Sequence, residues 1–531
     1  MSSGRAERRF ATDVRCLGRW FRICIAVSAV ALAAGCAVLP SLEGRSETRA
    51  YTDTAQTRLG RAVNGEAEAH PGRSGIYALT EPSDAFAARV LLASAAEKSL
   101  DIQYYIWHGD QTGSLLFEAV RRAADRGVRV RILLDDANTG GLDDMIAALD
   151  AHPNIEVRLY NPLVPRSARL TNYLTDFGRV NRRMHNKSFT ADNQVTIVGG
   201  RNVGNEYFAA GEGVAFTDLD VIATGAAVHE VSGAFDLYWN SPSAYPAAAL
   251  VATATPEAAR ALLDAKFAAV HADPESAAYV DVLQRTDIVR ELVAGKLSLE
   301  WASARLVRDD PAKTLDTTAR TDVLLLSDLV PAIGKPSTSF DLVSPYFVPG
   351  DSGTAWLVQA AQQGVRVRVL TNSLAATDVG PVHAGYIKRR CDLLQAGVHL
   401  YELEPTARAD DKKKRGVGSS SAVQLHAKTF AVDDDRIFVG SFNFDQRSAR
   451  LNTEMGLVIE SGTLARQLSK AFDTQVPRLA YEVRLTADGQ CAEWIERAGS
   501  GEVRYDADPG TSAARRAWIR FLSVLPIEWL L

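Results

Sequence analysis

The sequence predicts an α/β protein of two tandem domains, each a mixed, mostly parallel sheet flanked by helices, related by a pseudo-two-fold axis. Its 531 residues exceed what a single hydrophobic core normally supports. Apolar runs of strand length alternate with stretches of helical periodicity, which is the β-α-β order of layered domains. A motif that begins at His185 returns at His426, which indicates a duplication.

The first 36 residues predict an attachment to a membrane. Six arginines precede a short apolar run that ends in Leu-Ala-Ala-Gly-Cys36, which resembles a bacterial lipobox, so we expect residues 1–35 to be a signal peptide and Cys36 to be lipidated. An uncleaved signal anchor is the alternative. The polar stretch 36–75 is predicted to be a tether to the folded body.

The first domain is predicted over residues 76–255. A helix at 86–98 leads to a buried strand at 99–107, and a second helix at 112–126 leads through Gly127 to a strand at 128–135. Consecutive strands joined by a helix pair in parallel, which is the basis for predicting a mostly parallel sheet.

The second domain is predicted over residues 321–500 because the same order returns there. The strand predicted at 365–372, Val-Arg-Val-Arg-Val-Leu-Thr-Asn, repeats the strand at 128–135. Between the domains, residues 256–320 have helical periodicity as far as 303 and predict an external helical connector. The apolar C-terminal segment, 501–531, contains Trp and Arg side chains and suits either a membrane interface or docking on the core.

The duplicated motif places the same residue types at the same spacing in both halves. The spacing is His-x-Lys-x4-Asp, followed by an apolar run and Gly-x-x-Asn; its members are His185, Lys187, Asp192 and Asn202, then His426, Lys428, Asp433 and Asn443. Two Lys and two Asn can surround a tetrahedral anion with cations and donors. Two His can act as nucleophile and proton donor on opposite sides of phosphorus. The residues therefore predict one shared phosphodiester-transfer site, with no metal and no cofactor.

This doubled motif resembles that of the phospholipase D superfamily, over roughly residues 76–250 and 320–480. Phrases such as Tyr-Tyr-Ile-Trp-His-Gly-Asp110 and the closing Leu-Pro-Ile-Glu528 are most similar to bacterial cardiolipin synthases of the C type. The resemblance implies a two-step phosphatidyl transfer through a phosphohistidine. We assign His185 as nucleophile and His426 as acid, although the near-symmetric sequence leaves the reverse open.

The remaining site residues are assigned supporting roles. Lys187 and Lys428 are expected to hold the phosphate, with Asn202 and Asn443 beside them. Asp192 and Asp433 complete the motif and could orient the histidines, but their distance of seven residues from each His favours a role in bracing the loop backbone. Asp218 and Glu454, which align between the two repeats, are the better candidates for orienting the imidazoles. Ser441 stands where the first repeat has Gly200, so we expect a hydroxyl near the phosphate on one side only.

The function predicted is a phosphatidyltransferase at a bacterial membrane, with phosphatidylglycerol and phosphatidylethanolamine as the expected substrates. A phospholipase D hydrolase or other phosphodiesterase would use the same residues with water, and a non-catalytic lipid-binding lipoprotein is the alternative outside the enzymes. A net charge of −5 argues against nucleic acid as partner. Cys391 and Cys491 have no metal-ligand spacing, and either a disulfide or two free thiols fits them.

Overall fold

A computed structural model of the chain describes residues 39–210, 214–284, 286–315, 322, 324–405, 422–489, 491–498 and 501–531. The predicted signal peptide, 1–35, and Cys36 lie outside these residues. Two large sheets form the centres of the two halves, and helices flank both. The duplicated α/β architecture predicted from the sequence is therefore confirmed.

The sheet of the first half has nine strands in the order β10-β1-β8-β6-β5-β2-β3-β4-β9. The strands from the first half of the chain, with the short β7, are β1 (Ser74–Leu79), β2 (Ser99–Tyr104), β3 (Arg129–Asp135), β4 (Ile155–Tyr160), β5 (Ser188–Ala191), β6 (Val195–Gly199), β7 (Val214–Thr217), β8 (Asp220–Gly225), β9 (Ala244–Pro246) and β10 (Glu300–Ala302). The helices up to this point are α1 (Arg58–Ala69), α2 (Pro82–Ala95), α3 (Gln111–Asp125), α4 (Asp143–Asp150), α5 (Asn172–Thr175), α6 (Phe177–Val180), α7 (Ala226–Trp239), α8 (Pro256–Ala272), α9 (Pro274–Gln284) and α10 (Ile288–Val293).

The sheet of the second half has ten strands in the order β11-β18-β17-β16-β12-β13-β14-β19-β20-β21. Its strands, with the short β15, are β11 (Ala304–Arg308), β12 (Ser339–Val343), β13 (Arg366–Asn372), β14 (His399–Leu403), β15 (Ala422–Leu425), β16 (Lys428–Val432), β17 (Arg436–Gly440), β18 (Met455–Ile459), β19 (Ala480–Arg484), β20 (Glu493–Ala498) and β21 (Gly501–Tyr505). The helices are α11 (Leu325–Ile333), α12 (Gly350–Gln362), α13 (Gly380–Gln395), α14 (Gln446–Arg450), α15 (Gly462–Thr474), α16 (Val476–Leu479) and α17 (Ala513–Ser523).

The two sheets repeat one topology. The order β8-β6-β5-β2-β3-β4-β9 in the first corresponds to β18-β17-β16-β12-β13-β14-β19 in the second. Each sheet has its own core on the outer side, and a third apolar cluster, with Val198 and Val221 from one half and Val439 and Leu457 from the other, joins the two. The duplication thus forms one body with its repeated motifs at the internal interface.

The prediction that the sheets are mostly parallel is wrong. Among the described strands of the two large sheets, parallel pairing joins only β2-β3-β4 and β12-β13-β14, and the other pairs are antiparallel. Strands β5 and β6 are connected by a three-residue turn, which permits only an antiparallel hairpin, whereas a parallel pair needs a long crossover. The β-α-β pattern holds for the strands that helices connect, whereas the strands of hairpins pair antiparallel.

Residues 39–75, predicted to be a tether, pack on the first half in the part that the structure describes. The Arg45 guanidinium donates to the backbone oxygens of Asn240, Ser241 and Ala244, and α1 follows at Arg58–Ala69. Leu59 and Val63 on this helix are buried. Although the stretch contains few large apolar residues, partly buried hydrogen bonds from the Arg45 guanidinium to backbone carbonyls hold it on the body.

The connector, predicted to be helical as far as 303, is helical through α10 and then extended. Strand β10 joins the edge of the first sheet, and β11 joins the edge of the second. The C-terminal segment contributes strand β21 and helix α17, which packs against α13. Docking of this segment on the core, one of the two alternatives, is therefore observed.

Cys391 on α13 and Cys491, between β19 and β20, form a disulfide with their Cα atoms 5.6 Å apart. This resolves the choice between a pair and two free thiols. Within the described parts of the chain, none of the helices has the length and apolar character needed to cross a bilayer.

Candidate active site

Each copy of the motif forms a hairpin with its Asp at the turn. Asp192 and Asp433 have φ of 52° and 55°, a left-handed conformation that Asp tolerates better than most residues. The Asp192 carboxylate accepts from the backbone N–H groups of Glu97, Lys98 and Ser99 at 2.7–3.2 Å. The Asp433 carboxylate accepts in the same way from residues 337–339. The two Asp are therefore placed to brace the loop before β2 or β12, away from the imidazoles.

The backbone beside each histidine is hydrogen-bonded to the other half. The N–H groups of His426 and Ala427 donate to the carbonyl of Thr217, and β15 pairs in parallel with β7. On the other side, the N–H of His185 donates to the carbonyl of Thr453. The two motifs are therefore held together by backbone contacts as well as by side chains.

A carboxylate from the opposite half holds each imidazole. Nδ1 of His185 lies 2.8 Å from Oε2 of Glu454, and Nδ1 of His426 lies 2.6 Å from Oδ2 of Asp218. All four side chains are largely buried, and both carboxylates are fully so. The contacts expected of Asp218 and Glu454 are thus present and are crossed between the halves. Because a carboxylate holds Nδ1 of each ring, Nε2 is the nitrogen expected to react.

The two lysines lie beside the histidines of their own motifs. Nζ of Lys428 is 3.1 Å from Nε2 and 2.9 Å from Nδ1 of His426, and Nζ of Lys187 donates to the carbonyl of His185 at 2.5 Å. Burial lowers the pKa of Lys187 to about 7 and that of Lys428 to about 8. Two buried cations with lowered pKa values favour an anionic ligand that would restore their charge.

The same environment favours the neutral form of both imidazoles. Burial, with the two lysines, lowers the pKa of His185 well below its usual value and that of His426 to about 4. The carboxylates differ from each other. Burial raises the pKa of Glu454 to about 7, whereas His426 and Lys428 outweigh the burial of Asp218 and hold its pKa at about 2.

In the motif tails, Asn202 and Ser441 are hydrogen-bonded within the protein. Oδ1 of Asn202 accepts from the N–H of Ile106, and its Nδ2 donates to the Tyr207 hydroxyl, so Asn202 orients the loop and the ring. Ser441 donates to Oε2 of Glu454 and is fully buried, which fits orientation rather than phosphate binding. Asn443 is buried in the corresponding place, with its Oδ1 unpartnered.

Sequence reasoning missed two aromatic rings at the site. Tyr105 packs edge-on against His185 with ring centroids 4.9 Å apart, and Tyr207 packs in the same manner against His426 at 5.1 Å. Tyr105 follows the first strand of the β-α-β unit, and its counterpart by repeat alignment is Tyr346. That repetition of Tyr at the carboxyl end of a strand was a signal that could have identified it.

A strand-end residue in each half fixes the residue that precedes the histidine. Asp135 accepts from the N–H of Met184 and forms a buried ion pair with Arg183, while Oδ1 of Asn372 accepts from the N–H of Leu425. Asp135 and Asn372 end the two strands whose sequences repeat, so comparison of the repeats could have found them.

The connector adds an ion pair that the repeats do not predict. Asp309 and Lys313 are buried 2.9 Å apart, and Asp309 both accepts from the N–H of Glu454 and donates its own N–H to the Glu454 carbonyl. Lys313 also donates to the carbonyl of Ser448. This pair positions the carboxylate that holds His185 and has no counterpart in the motif of the first half.

Two groups of side chains in the described residues have the spacing to hold a metal ion: His108, Asp110 and Glu206, and His383, Glu402 and Asp508. In the second group, the Arg390 guanidinium lies 3.2 Å from Glu402 and 3.4 Å from Asp508. The cation for those carboxylates is therefore already supplied by the protein, and the group is an ion-pair network of the core.

A protein-family model described as "Cardiolipin synthase, PLD-like domain" matches residues 90–239 and 329–476. These two ranges contain both motifs and cover more than half of the chain. The chain belongs to the phospholipase D family. A cardiolipin synthase C from Escherichia coli (strain K12) is 47% identical over 476 residues, covering 89% of this chain and all of that protein.

More distant relatives agree with this assignment. A major cardiolipin synthase of Bacillus subtilis (strain 168) is 25% identical, covering 74% of this chain and 67% of its own length. The crystal structure of phosphatidylserine synthase from Haemophilus influenzae has a TM-score of 0.51 at 14% identity, covering 79% of this chain and 91% of that one. At this identity the structural match supports the fold alone.

Proposed function

We propose that this chain is a membrane-associated phosphatidyltransferase that forms cardiolipin through a phosphohistidine intermediate. The observation that carries the proposal is the crossed arrangement of His185 with Glu454 and of His426 with Asp218, beside Lys187 and Lys428. This arrangement provides two oriented imidazoles and two cations around one site, which is what in-line transfer of a phosphodiester requires. The names of the cardiolipin synthase relatives favour transfer over hydrolysis.

The proposed reaction has two steps. In the first, Nε2 of His185 attacks the phosphorus of phosphatidylglycerol. His426, protonated at Nε2 because the phosphate anion raises its pKa, gives that proton to the glycerol headgroup oxygen as the bond between this oxygen and phosphorus breaks. In the second, a hydroxyl of another phosphatidylglycerol gives its proton to His426 and attacks phosphorus, so that the phosphorus–nitrogen bond breaks. Phosphatidylethanolamine is the proposed alternative donor, with ethanolamine as its departing alcohol.

The different carboxylates support this assignment of roles. Asp218 has a pKa of about 2 and remains ionised, so it stabilises His426 whenever that ring carries a proton. Burial raises the pKa of Glu454 to about 7, so this carboxyl group is ionised less completely than Asp218 and stabilises a positive charge on His185 less. This suits His185, whose own pKa is lowered and which must begin as a neutral nucleophile. Lys187 and Lys428 are assigned to the phosphate oxygens, where they supply positive charge during both steps.

Location at a membrane is part of the proposal. The signal-like N-terminus with Cys36 leads us to propose export and attachment through that end of the chain. Phospholipid substrates also place the reaction at a bilayer, while the choice of inner or outer membrane stays open to experiment.

The function is tested by giving the purified full chain phosphatidylglycerol, with and without phosphatidylethanolamine, and resolving the lipid products. We expect cardiolipin, and we expect the same rate in EDTA because the lysines supply the charge. Phosphatidic acid as the sole product would refute the transferase and favour the hydrolase. Products from neither reaction would favour a lipid-binding protein.

The assignment of the two histidines is tested with substrate labelled at the phosphatidyl phosphorus. His426→Ala is expected to retain an acid-labile, alkali-stable label on the protein while turnover falls by at least about 10²-fold, because it lacks the proton donor but keeps the nucleophile. His185→Ala should lose label and turnover. His229→Ala, an exposed histidine on α7, is the control and should behave as the wild type. Label on His185→Ala alone would reverse the roles.

A further inference from the structure

The short helical turns before the first motif expose large apolar side chains. Leu170 and Leu174 have 81% and 86% of their surface accessible, and Phe177 and Tyr173 are exposed beside them. Single exposed apolar residues are common on proteins, but a contiguous group of this kind marks an interaction surface.

Helix α17 in the C-terminal segment is apolar on two faces. Ile519 and Leu522 face inward and are buried with residues of α13. Trp518 and Phe521 face outward, more than half exposed, with their rings 5.5 Å apart. The inward face accounts for docking of the helix, and the outward face remains uncovered in the described chain.

One arginine joins these two exposed segments. The Arg447 guanidinium donates to Oδ1 and the backbone oxygen of Asn181, at the end of the first segment, and to the carbonyl of Leu530, at the end of the second. The N–H of Asn181 in turn donates to the carbonyl of Phe177. The apolar groups of the two segments therefore flank one point of the surface.

That point lies beside the active site. Asn181 precedes His185 by four residues, and Arg447 lies on α14, the helix that follows Asn443. Leu531 packs on Val348 in a cluster that also includes Tyr346. Tyr346 is the counterpart in the second repeat of Tyr105, the ring that contacts His185.

We propose that these two segments form a membrane-docking surface, consisting of Leu170, Leu174 and Phe177 with Trp518, Phe521, Val524 and Trp529, which seats the site against a bilayer with anionic headgroups. Its connection to catalysis rests on the proposed function. The choice of a lipid surface follows from composition: exposed Arg515 and Arg520 share α17 with the Trp and Phe rings. Trp favours the interface, and Arg can extend from an apolar surface to anionic headgroups.

Contact with lipid is tested by tryptophan fluorescence of the full chain on phosphatidylglycerol vesicles with and without bromine-labelled acyl chains. The variant W518F/W529F keeps apolar rings but removes two fluorophores. We expect wild-type fluorescence to contain a bromine-quenched component, at least half of which is absent from the variant. If the fluorescence that the two residues contribute is not quenched, the surface does not enter the bilayer and the proposal is refuted.

The role in catalysis is tested by comparing two substrates. In L170S/L174S and W518S/F521S, cardiolipin formation from phosphatidylglycerol in vesicles should fall at least tenfold. Activity on monomeric dibutyroyl phosphatidylglycerol should stay within twofold, because the reacting groups are untouched. Leu237→Ser and Val330→Ser, which alter exposed apolar residues on other helices, are matched controls and should change neither activity.

Two outcomes separate this proposal from the proposed function. If the wild type forms product from neither substrate, the proposed function fails, while the quenching experiment still decides whether the surface contacts lipid. The surface does not present the site to the bilayer if the wild type is active but the variants lose activity equally on vesicles and on the monomeric substrate. The same conclusion follows if the variants keep both activities. Wild-type quenching abolished by addition of a protein partner would instead identify a protein as the occupant and contradict the choice of lipid.

Discussion

The two histidines of the active site occupy different electrostatic environments although their motifs match. A Cβ at Gly200 would lie 2.1 Å from Oδ1 of Asp218, so the first half has room for this carboxylate only because the residue is glycine. In the second half, Ser441 stands at that position and donates to the longer Glu454. The difference between Gly200 and Ser441 therefore acts mainly on the carboxylate that holds each imidazole. The Ser441 hydroxyl is bound to Glu454 and does not serve mainly to contact the phosphate.

The lowered pKa values of the lysines and histidines predict that anion binding takes up protons. Sulfate imitates the phosphate but does not itself titrate near neutral pH. Near Lys187, whose pKa burial lowers to about 7, sulfate would favour the ammonium, so the pKa rises on binding and a proton enters. Sulfate affinity is therefore expected to increase as pH falls from 8 to 6, by up to about tenfold per pH unit for each proton taken up.

Calorimetry in two buffers with different ionisation enthalpies measures this uptake. Lys187→Arg, whose side chain stays charged, should lose most of the uptake near pH 7 while retaining a positive charge. Equal binding enthalpies in the two buffers for the wild type would contradict the prediction, since they would mean that no proton accompanies sulfate.

At the scale of structural elements, the motif hairpins depend on their Asp residues for attachment to the neighbouring loop. Asp192→Asn retains an acceptor oxygen but loses the charge that three backbone N–H groups share. We expect a loss of about 1–3 kcal/mol in the free energy of unfolding, with activity per folded molecule close to wild type. Urea unfolding and rate assays on the same samples measure the two effects, and Asp435→Asn, at the exposed surface of the matching turn, is the control.

The second hairpin gives this prediction a pH dependence. Backbone N–H groups outweigh the burial of Asp433 and lower its pKa to about 2, so its contribution to stability is complete above about pH 4 and is lost as pH falls towards 2. The difference in stability between wild type and Asp433→Asn should decrease over that range. A large loss of activity at full stability in either Asn variant would instead assign the motif Asp to chemistry.

The site was predictable where the two repeats could be compared. Asp218 and Glu454 were found because they align, and the structure places each against a histidine. Asp309 was not found, because a single copy in the connector has no repeat to mark it and its contacts are long-range. The strand pairing was mispredicted for a related reason: periodicity identifies a strand, but the length of its connection determines whether it pairs in parallel.

At the scale of the whole molecule, the C-terminal half has a covalent link between two of its layers. The disulfide joins α13, on which α17 docks, to the turn between β19 and β20, and it closes a loop of 100 residues. Disulfides persist in oxidising compartments and are rare in a reducing cytosol. The disulfide between Cys391 and Cys491 is therefore consistent with the export that we propose from the N-terminal sequence, because it would form and stabilise the body only outside a reducing cytosol.

We expect both body cysteines to be oxidised when the full chain is made in bacterial cells, and reduced when residues 1–38 are deleted so that the body stays in the cytosol. Cells are quenched in acid and treated with a maleimide that adds mass to free thiols, and C391S/C491S corrects for the N-terminal cysteines. Cys391→Ser leaves Cys491 without its partner and should be labelled in both forms. The free energy of unfolding of the double variant, measured in urea, should be about 2–5 kcal/mol lower than that of the oxidised wild type, because the cross-link restricts the unfolded chain. Reduction of the wild type should lower its free energy of unfolding by the same amount. Labelling of the full-length wild type at both cysteines would place the body in a reducing compartment and refute its export.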